Sequence, residues 1–160
     1  MGREAYARSL ALLLLLGTLA GAAAESAPDF ALPTVDGHNI RLSEYRGEVV
    51  VVAFWSSRCG DCDRHVAYLA ELVRRFDDQG ARLLVVSIDR QPEAARELAS
   101  RLGSAVAFDL EREVAGLYDL GRLPVVHLVD HHGRLRSARG GAQSRDLSDY
   151  EQALLALLNE

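Results

Sequence analysis

The stretch Val49-Val50-Val51-Val52-Ala53-Phe54-Trp55 constrains this chain more than any other part of it. A continuous apolar run of this length, mostly β-branched, is too short for a buried helix and suits a strand covered on both faces. It therefore predicts the central strand of a sheet. From Gly60 to about Asp78, the residues Val66, Leu69, Leu72, Val73 and Phe76 recur at helical spacing, and Gly80 follows the last turn as a stop signal. Leu83 to Ile88 is a second apolar run. Strand, helix and strand in that order imply parallel strands joined by a right-handed crossover.

The flanking segments extend this unit. Pro92 and Gly103 bracket a second helix carrying Leu98 and Leu102, Val106 to Phe108 is a brief strand, and Glu111 to Tyr118 is a short helix. Upstream, Phe30-Ala31-Leu32 and Ile40-Arg41-Leu42 flank the turn dipeptide Asp36-Gly37, which predicts a short hairpin, and Ser43 to Gly47 is one helical turn stopped by glycine. Downstream, Val125 to Val129 and Leu135 to about Ala138 surround Asp130-His131-His132-Gly133, a second hairpin. Ser148-x-x-Glu151 is a capping box opening a last amphipathic helix through Leu154, Leu155, Leu157 and Leu158. The expectation is a three-layer α/β/α domain with a mixed parallel and antiparallel central sheet and an N-terminal β-hairpin extension.

Composition narrows the chemistry. The chain has 160 residues, 49% of them hydrophobic, and a formal net charge of −5, which suits one soluble domain and disfavours disorder. No basic excess exists to neutralise phosphates, so no nucleic-acid partner is expected. All 18 cationic side chains are arginine, which excludes lysine-based covalent catalysis.

Residues 1–24 form a separate segment. Arg3 and Arg8 precede an apolar run from Leu10 through Leu16 to Ala20, and Gly21 and Ala22-Ala23-Ala24 follow, which is the pattern of a secretory signal cleaved after Ala24. The domain is then 25–160. Left uncleaved, the same segment would serve as a membrane anchor. Either way, export to the periplasm or another extracytoplasmic space is expected, where disulfides persist.

Only two cysteines occur, in Cys59-Gly60-Asp61-Cys62, at the junction of the central strand and the first long helix. The first N–H groups of a helix lack internal partners and carry partial positive charge, so a thiolate at Cys59 is favoured there. Cys62, one turn deeper, is within reach to close a disulfide, so Cys59 would attack and Cys62 would resolve. A purely stabilising bridge is the bland alternative, but a loop this short yields only about 2 kcal/mol, against about 4.7 for a hundred-residue loop. A third reading takes Cys59, Cys62 and His65 as ligands for copper(I) or zinc, although no fourth ligand stands at recognisable spacing. His65 alone reads as a surface or satisfied core histidine, His131 and His132 as solvated turn residues, and His38 and His127 have no assignable partner.

The order of strand, C-x-x-C at a helix start, crossover, and Pro124 before a strand and hairpin resembles the thioredoxin superfamily. More narrowly, the chain is similar to the exported TlpA/ResA-type thiol–disulfide oxidoreductases. The similarity runs from about Pro28 to the C-terminus: Pro28-Asp29-Phe30-x-Leu32, Asp36-Gly37, Leu42-Ser43-x-Tyr45-Arg46-Gly47, Phe54-Trp55, the cysteine pair, and Leu123-Pro124 followed by Asp130-x-x-Gly133.

That resemblance implies a cis bond between Leu123 and Pro124, with Pro124 facing the cysteines and the Leu123 backbone pairing with a bound substrate strand. Trp55, Arg58, Gly60 and Asp61 are the supporting residues beside Cys59 and Cys62. It further implies protein thiol or disulfide substrates, a reductive direction as in cytochrome c maturation or metallochaperone reduction, and re-reduction by a membrane electron donor. No cofactor is expected, and the protein is expected to be a monomer.

Departures from the family pattern bear on the chemistry. Trp and Pro usually precede the first and second cysteines, where this chain has Arg58 and Asp61; the arginine would favour the Cys59 thiolate and the aspartate oppose it. Ala53 stands where relatives carry a polar or acidic residue, and Ala67 where a helix-kinking proline is common. Asp89 and Glu93 are candidates for moving the Cys62 proton, with ordinary surface carboxylates as the alternative reading.

Overall fold

In the computed structural model, which describes residues 25–136 and 147–160, the chain enters through an antiparallel hairpin of β1 (Ala31–Pro33) and β2 (Asn39–Arg41), with Leu32 opposite Ile40. The segment expected to be a secretory signal lies outside the described residues. A 3-10 turn (Leu42–Tyr45) leads into β3 (Val49–Trp55), followed by α1 (Cys62–Arg74), β4 (Ala81–Ser87), α2 (Glu93–Leu102), β5 (Val106–Phe108), α3 (Glu113–Leu117), β6 (Val125–Val129), β7 (Leu135–Arg136) and α4 (Leu147–Leu158). The main sheet has the order β5-β4-β3-β6-β7. β3 pairs in parallel with β4 and antiparallel with β6, so it is the central strand its composition predicts.

Alternation along β3 divides the core into two layers. Val49, Val51, Ala53 and Trp55 face a cluster built by Val66, Leu69 and Leu72 of α1, Leu98 of α2, and Tyr150, Leu154 and Leu157 of α4. Val50, Val52 and Phe54 face the other way, against Phe30 and Leu42 of the entering segment, Val114 and Ala115 of α3, and Tyr118. Every residue of β3 is at most 2% exposed, and each buried Val or Phe contributes about 1.5–3 kcal/mol of transfer free energy. Helices on both faces of a mixed sheet make the expected three-layer domain.

Three boundaries differ from the sequence expectation. α1 starts at Cys62 and not at Gly60: the Cys59 N–H donates to the Ser56 carbonyl at 3.0 Å, so the first cysteine belongs to a tight turn and Asp61 takes the N-cap position. At the far end α1 stops at Arg74, and a separate 3-10 turn (Asp77–Gln79) leads to Gly80. Leu147 is already helical, so the described part of α4 begins one residue before Ser148. The predicted strand continuation to Ala138 falls outside the described residues.

The second hairpin is fastened by a buried acid. Asp130 accepts hydrogen bonds from the backbone N–H groups of His132 and Arg134, both at 2.9 Å, and from the Arg136 guanidinium at 3.1 Å. Gly133 closes this turn at φ +78°, the left-handed region where glycine alone is unstrained, and a Cβ there would run into the Arg46 side chain. Among the described residues no helix is long and apolar enough to cross a membrane.

Candidate active site

β3 delivers the chain into the turn of residues 56–61 at the carboxyl edge of the parallel strands, and α1 carries it away. Cys59 and Cys62 are joined there, with an S–S distance of 2.07 Å and Cα atoms 5.4 Å apart. Their surroundings differ sharply. Cys62 is 0% exposed and belongs to the apolar cluster beneath α1, together with Ala53, whereas Cys59 is only partly covered. An incoming sulfur can reach Cys59 and not Cys62.

The turn is held from behind by Asp89, just past β4. Its carboxylate accepts from the Ser56 hydroxyl at 2.5 Å and from the Ser57 N–H at 2.8 Å. Burial pushes this carboxyl up, but the bonds from Ser56 and Ser57 and the charge of Arg58 outweigh it and hold it below the usual range. It is an anion at neutral pH, fully occupied in positioning the turn. Asp89 does not line the groove described below. Glu93 is exposed in the first turn of α2, 3.7 Å from Arg96, and does not line it either.

Trp55 is also placed behind the site. Its ring is 2% exposed, and its indole N–H donates to Asp63 in the first turn of α1 at 2.7 Å. Arg101 donates to the other Asp63 oxygen at 2.9 Å, and these two bonds, the arginine's first, hold the Asp63 carboxyl low. Trp55 thereby ties the end of β3 to the start of α1.

The Leu123–Pro124 bond is cis, as the resemblance implies. It forms one wall of an open groove of about 930 Å³ whose other wall is Arg58, Cys59, Gly60 and Asp61. Outside the regular elements, no backbone hydrogen bond among the described residues uses the N–H or C=O of Leu123. Asp61, exposed at the helix start, pairs with Arg64 at 3.4 Å, so its opposition to a Cys59 thiolate is partly offset.

His65 lies one turn beyond Cys62, on the same groove. It is 3% exposed, its Nδ1 is 3.0 Å from the Asp61 carbonyl, and its buried Nε2 has no hydrogen-bond partner among the described residues. Among the described residues no three His, Cys, Asp or Glu side chains are gathered to hold a metal. His127 lies on the opposite face of the sheet, its ring 5.2 Å from Tyr118 and 6.1 Å from Phe54, where burial lowers its pKa. His38 is exposed, and His131 and His132 stand in the second hairpin's turn.

Sequence reasoning overlooked Ser56, Arg64 and Arg122, all of which line the groove. A signal existed for two of them. Arg122 directly precedes Leu123-Pro124, and Arg64 stands two residues past Cys62.

Comparison with known proteins agrees with this geometry. Residues 23–138 match the AhpC/TSA family. The thiol-disulfide oxidoreductase ResA of Geobacillus thermodenitrificans is 30% identical over 154 residues, covering 87% of this chain and 88% of that protein. ResA of Geobacillus kaustophilus is 32% identical over 127 residues, covering 78% and 73%. Among solved structures, the Chlorobium tepidum protein assigned as thiol:disulfide interchange protein DsbE superposes with a TM-score of 0.76 at 29% identity, covering 84% of this chain and 96% of that one.

Proposed function

The chain belongs to the AhpC/TSA family and is a thiol–disulfide oxidoreductase of the thioredoxin superfamily, and from that premise we propose that it is exported and reduces disulfides in protein substrates. The observation that carries this is the asymmetry of the pair: one sulfur opens onto a groove walled by a cis-proline, and the other is sealed in the core.

In the reduced protein, the Cys59 thiolate attacks one sulfur of a substrate disulfide. The Cys59–substrate bond forms, the substrate S–S bond breaks, and one substrate thiolate leaves. Cys59 stands just ahead of the start of α1, whose first N–H groups carry partial positive charge, and Arg58 adds more, both of which favour the thiolate. Leu123 holds the substrate backbone as an added strand, with Pro124 and Gly60 keeping the approach open. Cys62 then gives up its proton and attacks Cys59, expelling the second substrate thiolate and leaving the disulfide seen in the structure. His65, buried one turn along α1 with its Nε2 unengaged among the described residues, is the acceptor we assign to that proton.

The two electrons gained by the substrate are restored by an external dithiol donor, a membrane electron donor by the family resemblance. Apocytochrome c and metallochaperone cysteines are the substrate types that resemblance favours. The signal of residues 1–24 is cleaved after Ala24, no cofactor takes part, and the protein acts as a monomer.

Turnover of a protein disulfide such as that of insulin, with dithiothreitol as electron source, tests this reading. Cys59→Ser should abolish turnover, and Cys62→Ser should accumulate a covalent complex with the substrate. Undiminished turnover by Cys59→Ser would overturn it.

A further inference from the structure

Three arginines, Arg58, Arg64 and Arg122, line the groove against a single carboxylate, Asp61, in a protein whose formal net charge is −5. All three are exposed. Arg64 is matched by Asp61, but among the described residues no ion pair involves Arg58 or Arg122. Their positions matter more than their number. Arg58 directly precedes the accessible Cys59, and Arg122 directly precedes the cis bond, so each wall of the groove carries a guanidinium without an ion-pair partner among the described residues, Arg58 having the Asp89 charge behind it.

We propose, building on the reductase reading, that the groove selects substrate segments carrying Asp or Glu on either side of the disulfide. An occupant must present a sulfur to Cys59 and an extended backbone to Leu123, which specifies a peptide. With its sulfur at Cys59, that peptide runs residues on either side of it past Arg58 and Arg122. A guanidinium fork pairs well with carboxylates. The protein's net negative charge disfavours an acidic partner on average, so the positive groove orients the encounter, an effect on association rate that added salt screens.

Three synthetic peptides with the same intramolecular disulfide, flanked by Glu, Gln or Lys, decide the matter. At low ionic strength kcat/KM should fall in the order Glu, Gln, Lys, with about a tenfold span of the kind steering produces. The span should collapse in about 0.5 M salt and shrink in the Arg58→Gln/Arg122→Gln variant, whose Glu-to-Lys ratio is its own internal reference. Equal rates on all three peptides, or a preference for Lys, would overturn the proposal while leaving the reductase reading intact. Failure to reduce any of the three would instead sink the reductase reading, and the proposal with it.

Discussion

Cys59 and Cys62 are chemically alike, and only their surroundings divide the work between them. A half-covered sulfur in a turn and a sulfur at 0% exposure in an apolar cluster cannot be attacked at equal rates. Reduced protein treated with iodoacetamide at neutral pH should therefore be modified at Cys59 within the time that Cys62 stays intact, as peptide mass mapping would show. His65 gives a second prediction at this scale. Replacing it with Leu should slow release of the mixed disulfide more than its formation, read as accumulation of the covalent complex during turnover; equal slowing of both steps would remove it from the proton path. His127 supplies a pH test separate from the active site. Burial lowers its folded pKa, so the neutral ring is favoured on folding. Its contribution is complete above the ordinary histidine value of 6.5 and is lost as pH falls below it. The thermal midpoint of the wild type should drop between pH 7 and 5 by more than that of His127→Leu.

The elements that carry local signals were legible in advance. Val49 to Trp55 could only be a central strand, and Gly80 and Gly103 mark the stops where the chain turns left-handed after its helices. The start of α1 was less legible, because the turn made by the Cys59 N–H and the Ser56 carbonyl competes with helix, and helical periodicity does not report that competition. The groove was legible only by halves. Cys59 and Leu123-Pro124 announce themselves, but the meeting of Arg58 with Arg122 depends on β6 lying beside β3, a long-range pairing that neither neighbourhood encodes. Trp55 shows the same limit: its place at the end of the strand could be read, whereas its bond to Asp63 depends on where α1 turns back over the sheet. Two stability predictions follow from particular contacts. Leu69→Ala, on the buried face of α1, should cost about 2–5 kcal/mol in chemical denaturation. Asp130→Asn should loosen the second hairpin; burial raises the Asp130 carboxyl, but the bonds from Arg134, Arg136 and His132 outweigh it and leave it lowered. Stability from a lowered carboxyl is present above the ordinary value of 3.8 and is lost as pH falls through the folded value. The gap between wild type and Asp130→Asn should accordingly be full at pH 7 and close in acid.

At the scale of the whole molecule, the sheet is the rigid part and the chemistry sits at its edge. β3 and β6, buried on both faces, fix the cysteine turn and the cis-proline turn against each other, so the groove is set by the core and not by the loops alone. A molecule built this way can run electrons in either direction, and the balance is set by how much folding favours the disulfide over two thiols. The reduction potential of the Cys59–Cys62 pair, equilibrated in a dithiothreitol buffer and read by the fraction of alkylated thiol, is therefore the decisive number. For a two-electron couple about 30 mV corresponds to 1.4 kcal/mol. A protein reductant should lie well below the glutathione region, toward the roughly −270 mV of thioredoxin. A value near the roughly −120 mV of the strong oxidant DsbA would contradict the reductive role.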